Sequence, residues 1–129
     1  MNYKLSVESD TLLRYSSHCS RNGMTLLQQM CNFVVVDNIV GKNWSELQQI
    51  TGLSDKQLQR AKAELKTEGD VVVDTQGNIR VNPWYAWCGD WIIRAGARVG
   101  WSKGKFEPTL TDDYISYDGQ VVSGGKLQR

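Results

Sequence analysis

Residues 43–82 read NWSELQQITGLSDKQLQRAKAELKTEGDVVVDTQGNIRVN, and their spacing predicts two short helices, a sharp turn between them and a closing hairpin. Trp44, Leu47 and Ile50 recur every third residue, as one face of a helix requires. Asn43 stands before that face with Glu46 three residues on, so the helix start holds both halves of a capping box. Gly52 falls where the helix must stop, and glycine supplies the left-handed residue of a sharp turn. Leu53 can then plug the angle between two helices. Ser54 and Gln57 repeat the capping pattern, and Leu58, Ala61 and Leu65 give the second helix an inward face. Lys56, Gln57, Gln59, Arg60 and Ala63 are left pointing outward.

That outward set has the chemistry of a groove reader. Arg pairs bidentately with guanine, Gln does the same with adenine, and Lys steers toward phosphate. A helix that begins at Ser54 also turns backbone N–H groups and a positive dipole end toward a phosphate. A solvated surface helix carries similar charges, so the charges alone decide nothing. The combination of two capping boxes, Gly52, Leu53 and a following hairpin points to DNA. In that hairpin Val71, Val72 and Val73 suit a strand, and Asp74–Asn78 (DTQGN) supplies turn residues. Ile79, Arg80 and Val81 alternate as a half-buried return strand, which Asn82-Pro83 ends. Asp74 makes the tip acidic with Arg80 as the base beside it, which suits a hairpin that supplies shape more than affinity.

GLSDKQLQRAKAEL resembles the recognition-helix signature of bacterial winged-helix proteins. The march from Leu26 to about Trp101 is similar to the RepL family, small replication proteins of Gram-positive plasmids. Three features carry the likeness: a leading helix (TLLQQMCNFVVVDNIV), the helix-turn-helix, and a strand ending in Asn-Pro-aromatic followed by an aromatic and Gly-Asp. Here the last piece is NPWYAWCGD, Asn82 to Asp90. Gln48 replaces the small residue usual between the two helices, and Lys62 and Glu68 stand at normally apolar positions.

Residues and resemblance together imply an α+β, mainly helical fold, a winged helix-turn-helix with a three-helix core, a β-hairpin wing and an aromatic-rich C-terminal extension. The implied function is sequence-specific double-stranded DNA binding of the plasmid or phage replication-initiator type. Helix 54–67 would read the major groove, and the protein would act by binding and recruitment. The expected DNA-binding residues are Ser54, Lys56, Gln57, Gln59, Arg60, Ala63, Arg80, Arg94 and Arg98. Two other uses of the fold stay open: a transcriptional regulator (repressor) of a mobile element, and a protein–protein assembly module. Expected partners are duplex DNA, a second copy in a homodimer, and replication or transcription machinery, without a membrane.

The 129 residues suffice for one core. We divide them into an N-terminal segment (1–22), the winged helix (23–83), an aromatic and Arg-bearing helical extension (84–101) and an irregular or flexible tail (102–129). Thr11–Tyr15 suits a short helix. The next helix is expected over Met24–Asn38, because Leu27, Met30, Cys31 and Val34 share a face, although Phe33-Val34-Val35-Val36 has strand propensity. Ile39 to Lys42 can add a short strand beside the wing. Net charge is +1, but residues 54–105 hold nine Lys/Arg against six Asp/Glu, and residues 106–118 hold four acids and no base. A basic reading face with an acidic tail and plain solubility explain that asymmetry equally well. Without a long apolar run or a signal-like start, a cytoplasmic location is expected.

Beyond Pro83, Trp84, Trp87 and Trp91 are spaced by three and four, with Arg94 and Arg98 on an adjoining face. They could stack on exposed bases, yet aromatics more often build packing or dimer faces, so we assign Trp84, Trp87 and Trp91 to an interface. Lys103 and Lys105 could reach a phosphate. His18, Cys19, Cys31 and Cys88 match no usual zinc spacing, and Cys31 and Cys88 are expected as buried small side chains. One histidine, scattered carboxylates and no Gly-rich phosphate loop offer no catalytic constellation. No enzymatic activity, cofactor or metal is expected.

Overall fold

Both capping boxes form. Asn43 Oδ1 accepts the Glu46 N–H at 2.8 Å while Glu46 Oε1 accepts the Asn43 N–H at 3.1 Å. Ser54 and Gln57 repeat the exchange at 3.2 and 2.9 Å. These caps set the starts of two helices, and Gly52, at φ +72°, makes the turn between them. The computed structural model describes residues 3–16, 19–104, 114–115 and 121–122. Its elements are β1 (Ser6–Val7), α1 (Ser9–Ser16), α2 (Arg21–Asn32), β2 (Val34–Val35), β3 (Ile39–Val40), α3 (Trp44–Thr51), α4 (Asp55–Thr67), β4 (Val71–Val73), β5 (Ile79–Val81), β6 (Ala86–Trp87), α5 (Trp91–Ser102), β7 (Tyr114–Ile115) and β8 (Val121–Val122). The fold is α+β, with the sheet small and antiparallel.

The sheet runs β2-β3-β5-β4, so the hairpin of β4 and β5 gains β3 on its inner side, with Ile39 opposite Arg80. Leu27, Met30, Leu47, Leu58, Leu65 and Val71 bury their side chains between this sheet and α2, α3 and α4. Leu53 fills the angle between α3 and α4. Of the predicted face of α3, Leu47 is buried, Trp44 half-buried and Ile50 exposed. Two of the three unusual residues of this unit, Gln48 and Lys62, have side-chain partners. Gln48 Nε2 donates to Asp55 Oδ1 at 2.6 Å, a strut across the turn. The Lys62 ammonium sits 4.4 Å from the centre of the Trp44 ring, a cation–π contact.

One expected element is different. The helix predicted over Met24–Asn38 ends at Asn32, and Val34–Val35 form β2. The chain then reverses through Val36–Asn38 into β3, with Asp37 and Asn38 both left-handed at φ 64° and 63°. Branched side chains favoured the strand, and an Asp-Asn pair tolerates the left-handed turn better than most residues. Asn38 is also locked from inside: its Nδ2 donates to the Val81 and Ala86 carbonyls, each at 2.8 Å, and its Oδ1 accepts the Cys88 N–H at 3.0 Å.

β1 and α1, before the expected winged helix, and β6 and α5, after it, pack against it and each other. β1 pairs with β6, Ser6 opposite Trp87, and the Trp101 indole N–H donates to the Gly69 carbonyl at 2.7 Å. α5 extends the helical part to Ser102, and β7 pairs with β8 inside the region expected to be irregular. Residues 105–113, 116–120 and 123–129 of that tail lie outside the described residues, as does His18.

A carboxylate on α4 caps α2. Glu64 accepts the Ser20 N–H at 2.8 Å on one oxygen and the Ser20 hydroxyl on the other, while Ser20 Oγ accepts the Gly23 N–H. A Cβ on Gly23 would stand 2.7 Å from that carboxylate, so glycine permits the close approach. Burial alone would raise the Glu64 pKa, but the Ser20 and Cys19 hydrogen bonds outweigh it and hold it below the ordinary value. The stabilisation is therefore complete above the unfolded pKa, about 4.3, and is lost as pH falls through the lower folded one. Glu64→Gln is expected to lower stability by about 1–2 kcal/mol at pH 7. In urea titrations the gap to the parent should close as pH drops below 4.3, and a pH-independent gap would refute the capping role.

Candidate nucleic-acid interface

α4 turns Lys56, Gln57, Gln59, Arg60 and Ala63 to solvent, as expected, while Leu58, Ala61 and Leu65 hold its other side in the core. The two acids of the helix are engaged elsewhere, Asp55 with Gln48 and Glu64 with Ser20. Lys56 and Arg60, one turn apart, form no ion pair among the described residues. The strip is thus cationic, rigidly backed and open, as a groove-reading helix must be.

Its N-terminus suits a phosphate less well than its sequence suggests. Gln57 Oε1 already accepts the Ser54 N–H, so the carboxamide that would pair with adenine is tied to the cap. Ser54 Oγ likewise accepts from Gln57, leaving only its hydroxyl proton to donate. Asp55 places a carboxylate at the first position, where it offsets the positive helix end. Arg60, Gln59, Ala63 and Lys56 are the expected DNA-binding residues of α4 that stay exposed and uncommitted to the cap.

The hairpin requires a correction. Arg80, expected to face DNA, is instead buried, with 7% of its surface exposed. Its Nε donates to Asp74 Oδ2 at 2.8 Å, and its Nη1 donates to the Asp37 carbonyl. Asp74 is equally occupied, because its Oδ1 accepts the Gln76 and Asn78 N–H groups, both at 2.9 Å. Burial would raise the Asp74 pKa, but hydrogen bonds from Arg80, Asn78 and Gln76 with the Arg80 charge hold it below the usual range. The acidic tip is therefore an internal clasp. The hairpin presents Thr75, Gln76 and Gly77 outward and carries no net charge there.

The aromatic stretch also departs from expectation. Trp84, Trp87 and Trp91 do not share a helical face: Trp84 lies in the turn after Pro83, Trp87 in β6, and Trp91 opens α5 behind the Asp90 cap. Trp87 is 2% exposed and is not an interface residue. Trp84 and Trp91 are 46% and 55% exposed. Arg94 and Arg98 lie over these two rings and both reach Glu8 Oε1, at 3.4 and 3.6 Å. Both expected DNA-binding arginines of α5 are thus engaged with Glu8 and the two indoles. Glu8 carried no signal of its own, since its partners are 86 and 90 residues away in the chain.

The remaining reactive groups are structural. Burial, then the Asp70 charge, pushes the Cys31 thiol up to about 12. Tyr85 donates to Asp70 Oδ1 at 2.7 Å, and burial with that hydrogen bond raises the phenol far above its ordinary value. Cys88 is also raised by burial and by Asp37. No helix among the described residues is long and apolar enough to cross a membrane. The chain matches no protein-family model, no curated protein and no solved structure.

Proposed function

We propose that the chain is a winged-helix protein that binds double-stranded DNA in a sequence-specific way through the outward face of α4. The order α2, β2, β3, α3, turn, α4, hairpin, with β3 paired to β5 of the hairpin, supports the winged-helix reading. One observation carries the reading: Lys56, Gln59, Arg60 and Ala63 form an exposed strip without acidic partners on a helix whose opposite face is core. The likeness of NPWYAWCGD to the RepL pattern favours a replication initiator, acting by binding and recruitment as a homodimer, over a transcriptional repressor.

Arg60→Ala tests the reading. Loss of one bidentate base contact should weaken specific binding by about 1–3 kcal/mol and relax specificity at one base pair. The measurement is a titration against duplexes from the protein's own locus at two salt concentrations. Unchanged affinity and specificity, with the fold intact by circular dichroism, would count against base reading by α4. Lys56→Ala, by contrast, should weaken all duplexes alike and reduce the salt slope by about one unit.

A further inference from the structure

We infer that Trp84, Arg98, Arg94 and Trp91, gathered around Glu8, form a second nucleic-acid site that takes unpaired nucleotides. Two unmet requirements meet at this cluster. The first is apolar: Trp84 and Trp91 leave about half of their surface in water, 46% and 55%. Each indole is backed on one side by a guanidinium, Arg94 Cζ at 3.8 Å from the Trp91 ring centre and Arg98 Cζ at 4.6 Å from that of Trp84. Arg98 is itself pinned, its Nε donating to the Pro83 carbonyl at 3.0 Å. The rings are thus held in place by a cation while about half of each stays in water, open to a stacking partner.

The second requirement is charge. Two guanidinium groups share one carboxylate oxygen, Glu8 Oε1. Burial and the neighbouring Arg94 charge lower the Arg98 pKa, and Glu8 offsets this in part. Among the described residues, one carboxylate is paired with these two guanidinium groups, which leaves one positive charge of the set for an anion on a partly buried surface, where it gains more than in open water.

A single strand meets both requirements at once, bases on the indoles and a phosphate on the arginines. A duplex does not, because its base faces are already stacked. An acidic peptide answers the charge but not the two flat faces. A second copy of the chain covers the rings, yet a two-fold contact sets one arginine pair against another and doubles the surplus.

The full chain would be titrated with oligo(dT) and oligo(rU) of about a dozen nucleotides, a length within the usual footprint of a stacking site, with tryptophan fluorescence as the readout. Quenching at low salt is expected, and Trp91→Ala should weaken binding about tenfold, while Trp91→Phe keeps most of the affinity. Preference for either oligomer supports the site and tells which sugar it takes. Trp91 opens α5 at the surface, and circular dichroism of each variant checks that the fold persists. Absence of binding by the parent, or equal binding by a folded Trp91→Ala, would overturn the proposal. So would a parent dimer that Trp91→Ala turns into a monomer at unchanged oligonucleotide affinity.

Discussion

Asn38→Ala is expected to lower the stability of this protein by about 3–4 kcal/mol, a large share of the 5–15 kcal/mol typical of a domain. The Asn38 side chain makes three buried hydrogen bonds, to the Val81 and Ala86 carbonyls and from the Cys88 N–H. Alanine strands two carbonyls and one N–H where water does not enter, and each stranded group costs about 1–3 kcal/mol. Relaxation recovers part of the sum, so the estimate sits near its lower end. A second contribution comes from the backbone, because Asn38 holds φ 63°, which alanine adopts at a cost of about 1–2 kcal/mol. Asn38→Gly separates the two. It keeps the turn and loses the same hydrogen bonds, so in urea titrations it should fall between parent and alanine. Asn38→Asp should be the worst of the three, since it sets a carboxylate against two carbonyl oxygens. A loss under 1 kcal/mol for Asn38→Ala would mean that these bonds do not hold β5, β6 and the β2–β3 turn together.

The reasons some elements were legible and others not are physical. Asn43 with Glu46, and Ser54 with Gln57, cap helices through partners three residues away, so the whole signal lies in a short window. The hairpin from Val71 to Val81 is just as local, down to the turn chemistry of Asp74 to Asn78. VVVDNIV, residues 34–40, held a local signal that was outweighed. Its branched run and Asp-Asn pair describe strand, turn and strand, while the helical spacing from Leu27 to Val34 describes a competing helix. Val34 is indeed buried, only from β2 and not from a helix. Trp84, Trp87 and Trp91 misled for a different reason. Their spacing is helical by coincidence, since Trp87 is fixed by pairing with Ser6 at the other end of the described chain. Burial of Arg80 was likewise out of reach, because it depends on the Asp37 carbonyl, 43 residues away. Of the candidate site, the exposed strip of α4 was readable from periodicity alone. The commitment of Gln57 to its cap was implied by the same capping box that located the helix.

Arg80→Ala distinguishes a structural hairpin arginine from a phosphate ligand, with a second large effect. Arg80 and Asp74 are a buried pair, with side-chain exposures of 9% and 1%. Removing one partner of such a pair strands the other charge and typically costs about 3–5 kcal/mol. The loss should depend on pH in a definite sense. In the parent, hydrogen bonds and Arg80 keep the Asp74 pKa low, so its stabilisation is full above the unfolded value of about 3.9 and is lost as pH falls through the folded one. Without Arg80 the burial that opposes ionisation is less well countered, the folded pKa rises, and acid favours the variant relative to the parent. The stability gap should therefore narrow on acidification. Asp74→Asn combined with Arg80→Met should recover part of the loss, since it removes both charges together while Asn keeps an acceptor for the Gln76 and Asn78 N–H groups. On duplex DNA, at temperatures where the variants stay folded, this double variant should show the parent's salt dependence. An arginine that neutralised a phosphate would instead lower the slope by about 0.9. That drop would return Arg80 to the DNA surface, and an unchanged slope leaves the hairpin to act by shape, with Lys56 and Arg60 carrying the charge.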